Sequence, residues 1–205
     1  IVPNCESDSD HARKVEKIRE SIRGGHLYLV NYGRRWQGEM SGQPWDTFLR
    51  MTHSNPAPFS SWLYLADHGW AIASASPERL MRLDSGVVST RPIKGTRARG
   101  RDEKVDSALR LELASSEKEM AEHLMLVDLE RHDLSSVCQS GSVHWSDCRI
   151  EALANVQHLV SGVEGKLSPN TSAGKSLAAL FPGGSITGCP KIVTMAAIDE
   201  LEGSR

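Results

Sequence analysis

The apolar residues near the start of the chain recur at helical spacing. Between residues 10 and 23, Val15, Ile18 and Ile22 stand among charged side chains, and Gly24 follows as a stop signal. This pattern predicts one amphipathic helix. Pro44 stands at the early position of a second, short helix, because proline is tolerated in the first helical turn.

Two pairs of short β-rich runs follow. Residues 60–65 and 70–75 are joined by Asp67-His-Gly, which predicts a hairpin. Residues 80–83 and 87–90 repeat the pattern around Asp84-Ser-Gly. Four such runs predict an antiparallel sheet.

The longest helical pattern runs from about Asp102 to Glu130, with a possible break near Ser115. Its predicted apolar stripe consists of Leu109, Leu113, Met120, Leu124 and Val127. Further strands are predicted at residues 143–145 and 154–165, and further helices at 172–180 and 191–202. The alternation predicts an α+β fold in which antiparallel β-sheets are flanked by helices. Because no repeat or linker interrupts it, we expect a single domain over residues 1–205.

The composition limits the classes of partner. The 205 residues are 39% hydrophobic and 24% charged, and the formal net charge is −2 with both signs interspersed. These values fit one compact domain and argue against nucleic-acid or membrane-surface binding, so we expect small-molecule or protein partners. No apolar run approaches the roughly 20 residues that span a bilayer. Cys5, Cys138, Cys148 and Cys189 form no C-x-x-C pair, so a reduced, cytoplasmic setting is expected.

Lys94 lies on a constrained stretch of backbone. Pro92 precedes it by two residues and Gly95 follows it, so a turn or a close backbone approach is available there. Glu78 stands sixteen residues earlier at a strand corner, and the two side chains could meet across neighbouring strands. A carboxyl and an amine in a cleft can serve as general acid and nucleophile. From the residues alone, an ordinary pair of surface charges remains the alternative.

Two further groups of residues carry possible binding chemistry. Glu119 and Glu122 are spaced i, i+3 on the long helix, which suits a hard cation such as Mg²⁺ or a plain solvated face. The run Gly183–Lys191 combines glycines with Ser185 and Thr187, and it predicts either an anion-binding loop or a structural turn. His158, a single histidine in a probable strand, would by itself be interpreted as structural.

Five segments in order along the chain resemble the chorismate-binding enzymes. The segments are Ser76-Pro-Glu-Arg, Arg91-Pro-Ile-Lys-Gly-Thr, residues 122–133, His158-Leu-Val-Ser, and residues 181–191. The resemblance implies an anthranilate synthase-like fold that is incomplete at both ends, since members carry a longer N-terminal region and a further C-terminal segment. Within the family, the chain is most similar to the aminodeoxychorismate synthases, because Lys94 stands where anthranilate synthases typically have Ala.

The resemblance also implies roles for individual residues. Lys94 would add covalently to chorismate, Glu78 would act as general acid, and Glu122 with Glu119 nearby would hold Mg²⁺. The residues expected to line the substrate pocket are Gly95, Thr96, His158, Ser185 and Thr187. The product would be 4-amino-4-deoxychorismate, on the route to para-aminobenzoate and folate, with ammonia from a glutamine amidotransferase subunit. The alternatives are anthranilate synthase component I and an inactive chorismate-binding fragment.

Three positions depart from the family pattern. His132 stands where members commonly have Asn, and Cys189 where they commonly have Ala. Leu29 occupies the position that is Lys in the members that add water to chorismate. The resemblance therefore argues against water addition, because a base to activate the water is missing at that position.

Overall fold

The computed structural model describes residues 6–203, and these residues divide into two compact units. One unit combines the residues up to Ser41 with those from Pro182 onward, and the other runs from Gly42 to Phe181. The single domain expected over residues 1–205 stays a prediction.

The helices and strands follow the predicted alternation. The helices are α1 (Asp8–Arg23), α2 (Pro44–Ser54), α3 (Glu103–Ser115), α4 (Glu117–Ser135), α5 (Ala173–Leu180), α6 (Gly184–Thr187) and α7 (Lys191–Glu202). The strands are β1 (Leu29–Val30), β2 (Phe59–Leu65), β3 (Trp70–Ser76), β4 (Arg79–Asp84), β5 (Val87–Arg91), β6 (Ile93–Ala98), β7 (His144–Ala152), β8 (Val156–Lys166) and β9 (Gly188–Cys189). The α+β class with antiparallel sheets is confirmed.

The larger unit is built around β8, the central strand of a five-stranded antiparallel sheet. One edge of β8 pairs with β7, while the other edge pairs with β6 along its first half and β5 along its second half. Buried Pro92 separates β5 from β6, so these two strands form one nearly continuous partner for β8. Seven consecutive residues of β8, from Gln157 to Val163, are buried.

A bulge interrupts the pairing of β6 with β8. Ile93 lies opposite Val160 and Thr96 lies opposite His158, so Lys94 and Gly95 together face one residue of β8. Such bulges bend a strand and redirect a side chain, and they are common beside functional sites. Gly95 has φ of 101°, and a Cβ added to it would come within 3.1 Å of Leu113. The positive φ angle and the close Leu113 side chain therefore both favour glycine at position 95.

Two helices cover the β6 and β8 strands of this sheet. The predicted break falls between α3 and α4, where Ser116 ends the first helix and its hydroxyl caps the second by accepting from the Glu119 backbone N–H. Leu124, predicted to be in the apolar stripe, is 42% exposed, while His123 is fully buried. The buried stripe of α4 contains His123, Leu126, Val127, Glu130 and Leu134, so the predicted stripe was wrong at Leu124.

The four strand runs predicted in the middle of the chain fall into two different sheets. β2 and β3 form a two-stranded sheet of their own, whereas β4 and β5 belong to the five-stranded sheet. The hairpin predicted at Asp67 is confirmed, with a short 3₁₀ turn at Ala66–His68. The single sheet expected for all four runs was wrong, because β5 pairs with the later strand β8 instead of continuing the meander.

The smaller unit brings the two ends of the chain together. β1 pairs with β9, with Leu29 opposite Cys189, and Asn31 donates its side-chain N–H to the Ser185 carbonyl oxygen at 2.9 Å. Gly188 has φ of 135°, and a Cβ placed there would lie 2.1 Å from the Leu29 carbonyl oxygen, so only glycine fits this contact. The predicted helix at 191–202 is confirmed as α7.

Across residues 6–203, no helix combines the length and the apolar character needed to cross a membrane.

Candidate active site

Lys94 lies at the bulge of β6 and points its amine at helix α4. Its Nζ lies 3.4 Å from Oε2 of Glu122, and one quarter of the Lys94 side chain is exposed. The amine is thus held at the surface of the sheet instead of extending freely into solvent. The structure therefore brings together the predicted nucleophile and one of the two predicted metal ligands.

The two predicted metal ligands each contact basic side chains. Glu122 is also approached by Lys118 at 3.8 Å, one helical turn earlier. Glu119 accepts from the Arg97 guanidinium at 3.1 Å, and its other oxygen lies where a Cβ on Gly95 would be only 3.4 Å away. The i, i+3 spacing predicts that both carboxylates share one helical face, and that face of α4 lies beside the β6 bulge.

Glu78 is anchored immediately before Lys94. Its Oε1 accepts from the backbone N–H of Ile93 at 3.2 Å, and its own N–H donates to the Ser76 hydroxyl. This geometry follows from the corner at Pro77, which ends β3 and starts β4. The predicted general acid and the predicted nucleophile are therefore linked through one backbone amide.

Thr96 and His158 form a direct pair. They lie opposite each other on β6 and β8, and Thr96 Oγ1 lies 2.8 Å from His158 Nδ1. Burial lowers the pKa of His158, which the carboxylate of Glu151 on β7 partly opposes. The imidazole therefore favours its neutral form, in which one ring nitrogen can accept a hydrogen bond.

Ser185 and Thr187 belong to the smaller unit. Both lie in the four-residue helix α6. The buried Thr187 hydroxyl donates to the Gly183 carbonyl oxygen at 3.0 Å, so it is used within its own turn. The Ser185 carbonyl oxygen accepts from Asn31. Their predicted role in substrate binding stays a prediction.

Helix α4 carries two carboxylates of the kind that bind Mg²⁺. Glu119 and Glu122 supply carboxylate oxygens, the ligand class that Mg²⁺ prefers, and the ion takes its remaining positions from water and substrate. Among residues 6–203, no group of three or more His, Cys, Asp or Glu side chains is arranged to hold a metal. Glu119 and Glu122 are thus the right donor type for one side of such a site, and Mg²⁺ binding stays a prediction.

His123 is the residue of this region that the sequence analysis did not single out. Its Nδ1 lies 3.2 Å from the Lys94 carbonyl oxygen, and its Nε2 lies 2.6 Å from the buried Ser161 hydroxyl. Burial lowers its pKa, so the neutral ring is favoured. His123 shares the helical register of Val127, Glu130 and Leu134, but the neighbouring Leu124 fits an apolar stripe as well, so the period alone did not single out His123.

Comparison with known proteins gives a consistent family assignment. The family model described as chorismate binding enzyme matches residues 4–205. Among solved structures, the anthranilate synthase component I from Streptococcus pneumoniae superposes with a TM-score of 0.86 at 34% identity, covering 97% of this chain and 43% of that one.

The similar curated proteins carry two different names. Anthranilate synthase component 1 1 from Haloarcula marismortui is 42% identical over 203 residues, which is 98% of this chain and 41% of the relative. Aminodeoxychorismate synthase component 1 from Salmonella typhimurium is 42% identical over 197 residues, which is 96% of this chain and 43% of the relative. The chain spans less than half the length of either relative.

Proposed function

The chain belongs to the chorismate-binding enzyme family, and from that premise we propose that it is part of an aminodeoxychorismate synthase component 1. Such a protein would convert chorismate and ammonia into 4-amino-4-deoxychorismate. The observation that supports this choice is Lys94, whose amine is held 3.4 Å from Glu122 on a strand bulge. A lysine fixed in this way is suited to covalent catalysis.

The first chemical step we propose joins Lys94 to the substrate. Glu78, held beside Lys94 by the Ile93 amide, donates a proton to the ring hydroxyl, which leaves as water. The Lys94 amine, after losing a proton, forms a bond to ring carbon 2 as the double bond shifts and the bond from carbon 4 to oxygen breaks. One carbon–nitrogen bond is formed and one carbon–oxygen bond is broken.

The second step exchanges nitrogen and releases the enzyme. Ammonia attacks ring carbon 4, the double bond shifts back, and the bond between Lys94 and carbon 2 breaks. Lys94 leaves as the neutral amine, the ammonium formed at carbon 4 returns a proton to Glu78, and the enolpyruvyl group stays on the product. We propose that the ammonia comes from a glutamine amidotransferase partner, as the resemblance implies. Gly95, Thr96 and His158 of the larger unit are proposed to bind the substrate, and the substrate-binding roles of Ser185 and Thr187 in the smaller unit are proposed from the resemblance alone.

We propose Mg²⁺ as the cofactor, with Glu122 and Glu119 as protein ligands. When bound, the ion would neutralise the ring carboxylate of chorismate. The chain's own contribution is to hold both carboxylates on one face of α4, close to the bulge that carries Lys94. A cytoplasmic location also remains a proposal, based on the sparse cysteines of the sequence.

Anthranilate synthase component I is the second candidate. It is favoured by the match to the Streptococcus pneumoniae structure and by relatives of that name at the same identity. This reaction would release pyruvate and give a fluorescent aromatic amine. Incubating the full-length protein with chorismate and ammonium separates the two candidates by product. Pyruvate release would overturn the aminodeoxychorismate synthase proposal.

Replacing the nucleophile tests the covalent step. In the full-length protein, Lys94→Ala is expected to lower the rate of 4-amino-4-deoxychorismate formation by roughly 10²-fold or more, because the covalent route is lost. Lys104→Ala, which removes an exposed lysine of α3, is the matched control and should leave the rate unchanged. An undiminished rate in Lys94→Ala would remove the covalent role of Lys94.

A calorimetric titration tests the chain by itself. Chorismate and Mg²⁺ are added to the 205-residue chain, and heat of binding and product are both measured. Binding without product would favour the other alternative, that this chain binds chorismate but has no activity of its own. Turnover would exclude that alternative.

A further inference from the structure

We infer that His123 is a positioning residue that fixes the β6 bulge, and with it the amine of Lys94. The inference deepens the proposed function, because it concerns the residue proposed as the nucleophile. It rests on a chain of four hydrogen-bonding groups that runs from β7, through β8 and α4, to β6.

The bulge takes Lys94 out of the regular cross-strand register. Lys94 and Gly95 together face one residue of β8, so the pairing shifts at this point. The Lys94 carbonyl oxygen accepts from the ring of His123, at 3.2 Å. Because backbone polar groups inside a protein need partners, this hydrogen bond stabilises the bulged conformation.

The direction of each hydrogen bond in this series follows from the groups at its two ends, the Lys94 carbonyl and the Trp145 indole. A carbonyl oxygen can only accept, so His123 carries its proton on Nδ1. An indole N–H can only donate, and Trp145 Nε1 donates to the Ser161 hydroxyl oxygen at 3.0 Å as well as to the Asp147 carbonyl oxygen. The Ser161 hydroxyl therefore donates its own proton to His123 Nε2, at 2.6 Å.

Burial makes this arrangement specific. His123 and Ser161 are both fully buried, so water cannot replace a lost partner at either side chain. If the ring took the other tautomer, the Lys94 carbonyl would lose its donor, and the Ser161 hydroxyl would lose the acceptor for its own proton. Such buried unpaired groups are costly, and the ring is therefore held in one orientation.

Helix α4 contacts both the backbone and the side-chain amine of Lys94. His123 binds its carbonyl oxygen, and the adjacent Glu122 contacts its amine at 3.4 Å. A shift of the bulge relative to α4 would move the amine away from this carboxylate. Misplacement of a reacting group by about 1 Å can cost about 10²-fold in rate, so the position of the bulge bears directly on the chemistry.

The test uses three variants of the full-length protein. In His123→Asn, the side-chain amide nitrogen occupies nearly the position of Nδ1 and can still donate to the Lys94 carbonyl. In His123→Gln, the amide reaches further, towards Ser161, and His123→Leu removes both contacts. Thermal unfolding and circular dichroism verify that each variant is folded.

The readout is the reactivity of the Lys94 amine, which needs no turnover. Each protein is labelled by reductive methylation, and the labelling rates of Lys94 and Lys118 are measured by mass spectrometry. Lys118 serves as internal reference, because it approaches the same Glu122 but is 83% exposed. We expect the ratio of the Lys94 rate to the Lys118 rate to rise at least fivefold in His123→Leu and His123→Gln, and less than twofold in His123→Asn.

A ratio that stays within twofold of the wild type in folded His123→Leu or His123→Gln would overturn the inference. If neither variant folds, the wild-type protein decides the matter through ¹⁵N NMR of its histidine rings. The inference requires a proton on Nδ1 of His123, and a proton on Nε2 alone would contradict it. These outcomes are independent of the Lys94→Ala rate, so failure of the proposed function and failure of this inference are distinguishable.

Discussion

The two sheets of the larger unit are both antiparallel but are buried very differently. In the five-stranded sheet, β8 is buried over seven consecutive residues, and Val163 is fully inaccessible. In the two-stranded sheet, no residue of β2 or β3 is buried, and Leu63 and Ile72 are each about half exposed. Both regions are rich in β-branched or aromatic residues. Burial therefore depends on what packs against a strand, more than on the strand's own composition.

The elements that pack on each sheet explain the difference. Helices α3 and α4 lie on β6 and β8, and Val127 and Leu134 of α4 join Val88 and Val163 of the sheet in one apolar cluster. The hairpin of β2 and β3 has α2 as its neighbour, through ring contacts of 5.5 Å between Trp45 and Trp62 and 5.7 Å between Phe48 and Trp62. Lys94 thus lies in the five-stranded sheet, called the covered sheet below because α3 and α4 pack on it.

The largest effect is expected from the same substitution made in both regions. Leu134→Ala empties a fully buried position of the cluster and should lower the free energy of unfolding by about 2–5 kcal/mol. Leu63→Ala, at a position 52% exposed, should change it by no more than about 0.5 kcal/mol. Urea denaturation of the two variants measures both values. Equal losses would show that the hairpin is as well packed as the covered sheet.

A second pair of substitutions compares glycines. A Cβ at Gly100 would lie 2.1 Å from the backbone nitrogen of Asp106, so Gly100→Ala must displace the start of α3 and should cost about 3 kcal/mol. Gly69, after the hairpin turn, has φ of 65° and open space around it, so Gly69→Ala should cost only about 1–2 kcal/mol of backbone strain. Thermal denaturation compares the two. The reverse order would contradict the crowding inferred at Gly100.

The smallest expected effect is the pH-dependent loss of stability when Asp106, next to the end of β6, is replaced by Asn. Hydrogen bonds from Arg99, and then from the Gly100 backbone N–H, lower the pKa of Asp106 below its ordinary value. A lowered carboxyl pKa in the folded state contributes stability above the unfolded value, about 3.9, and this stability is lost as the pH falls through the folded value. Wild type should therefore exceed Asp106→Asn in stability at pH 6, and the gap should narrow at pH 3.

Unfolding curves of both proteins at the two pH values measure that gap. Because Asp106 is close to the surface, the gap should be small and should shrink further when salt is added. A gap that is the same at pH 6 and pH 3 would mean that Asp106 acts through its shape and hydrogen bonds, and that its charge has no part in it.

The sequence predicted most of the elements, because their signals are local. The hairpin at Asp67, the break at Ser116 and the helix from Lys191 to Glu202 all follow from capping and turn residues near the site itself. The partner of β5 could not be predicted in this way, since β8 follows it by more than sixty residues. Helical period alone also could not place His123 in the core ahead of Leu124, because the choice depends on the polar partner supplied by Ser161.

The candidate site was predicted in part. The types and spacing of Lys94, Glu78, Glu119 and Glu122 leave ordinary surface charges open, and the family resemblance selects them; the structure places all four around the start of β6. Their roles remain predictions. The bulge between Ile93 and Thr96 was foreshadowed only by Gly95, and the ring that holds it carried no catalytic motif of its own. A contact between two elements that are distant in the sequence leaves no periodic pattern from which it could be predicted.

The contact between His123 and residue 94 has a consequence for how the protein can change over time. His123 binds a backbone carbonyl, which all twenty amino acids share, so the side chain at position 94 can be exchanged without loss of that hydrogen bond. Lysine or alanine can therefore occupy the same bulge. If Lys94 has the proposed covalent role, replacing this one residue would change the reaction while the fold around it stays the same, so one substitution would be enough for related activities to diverge.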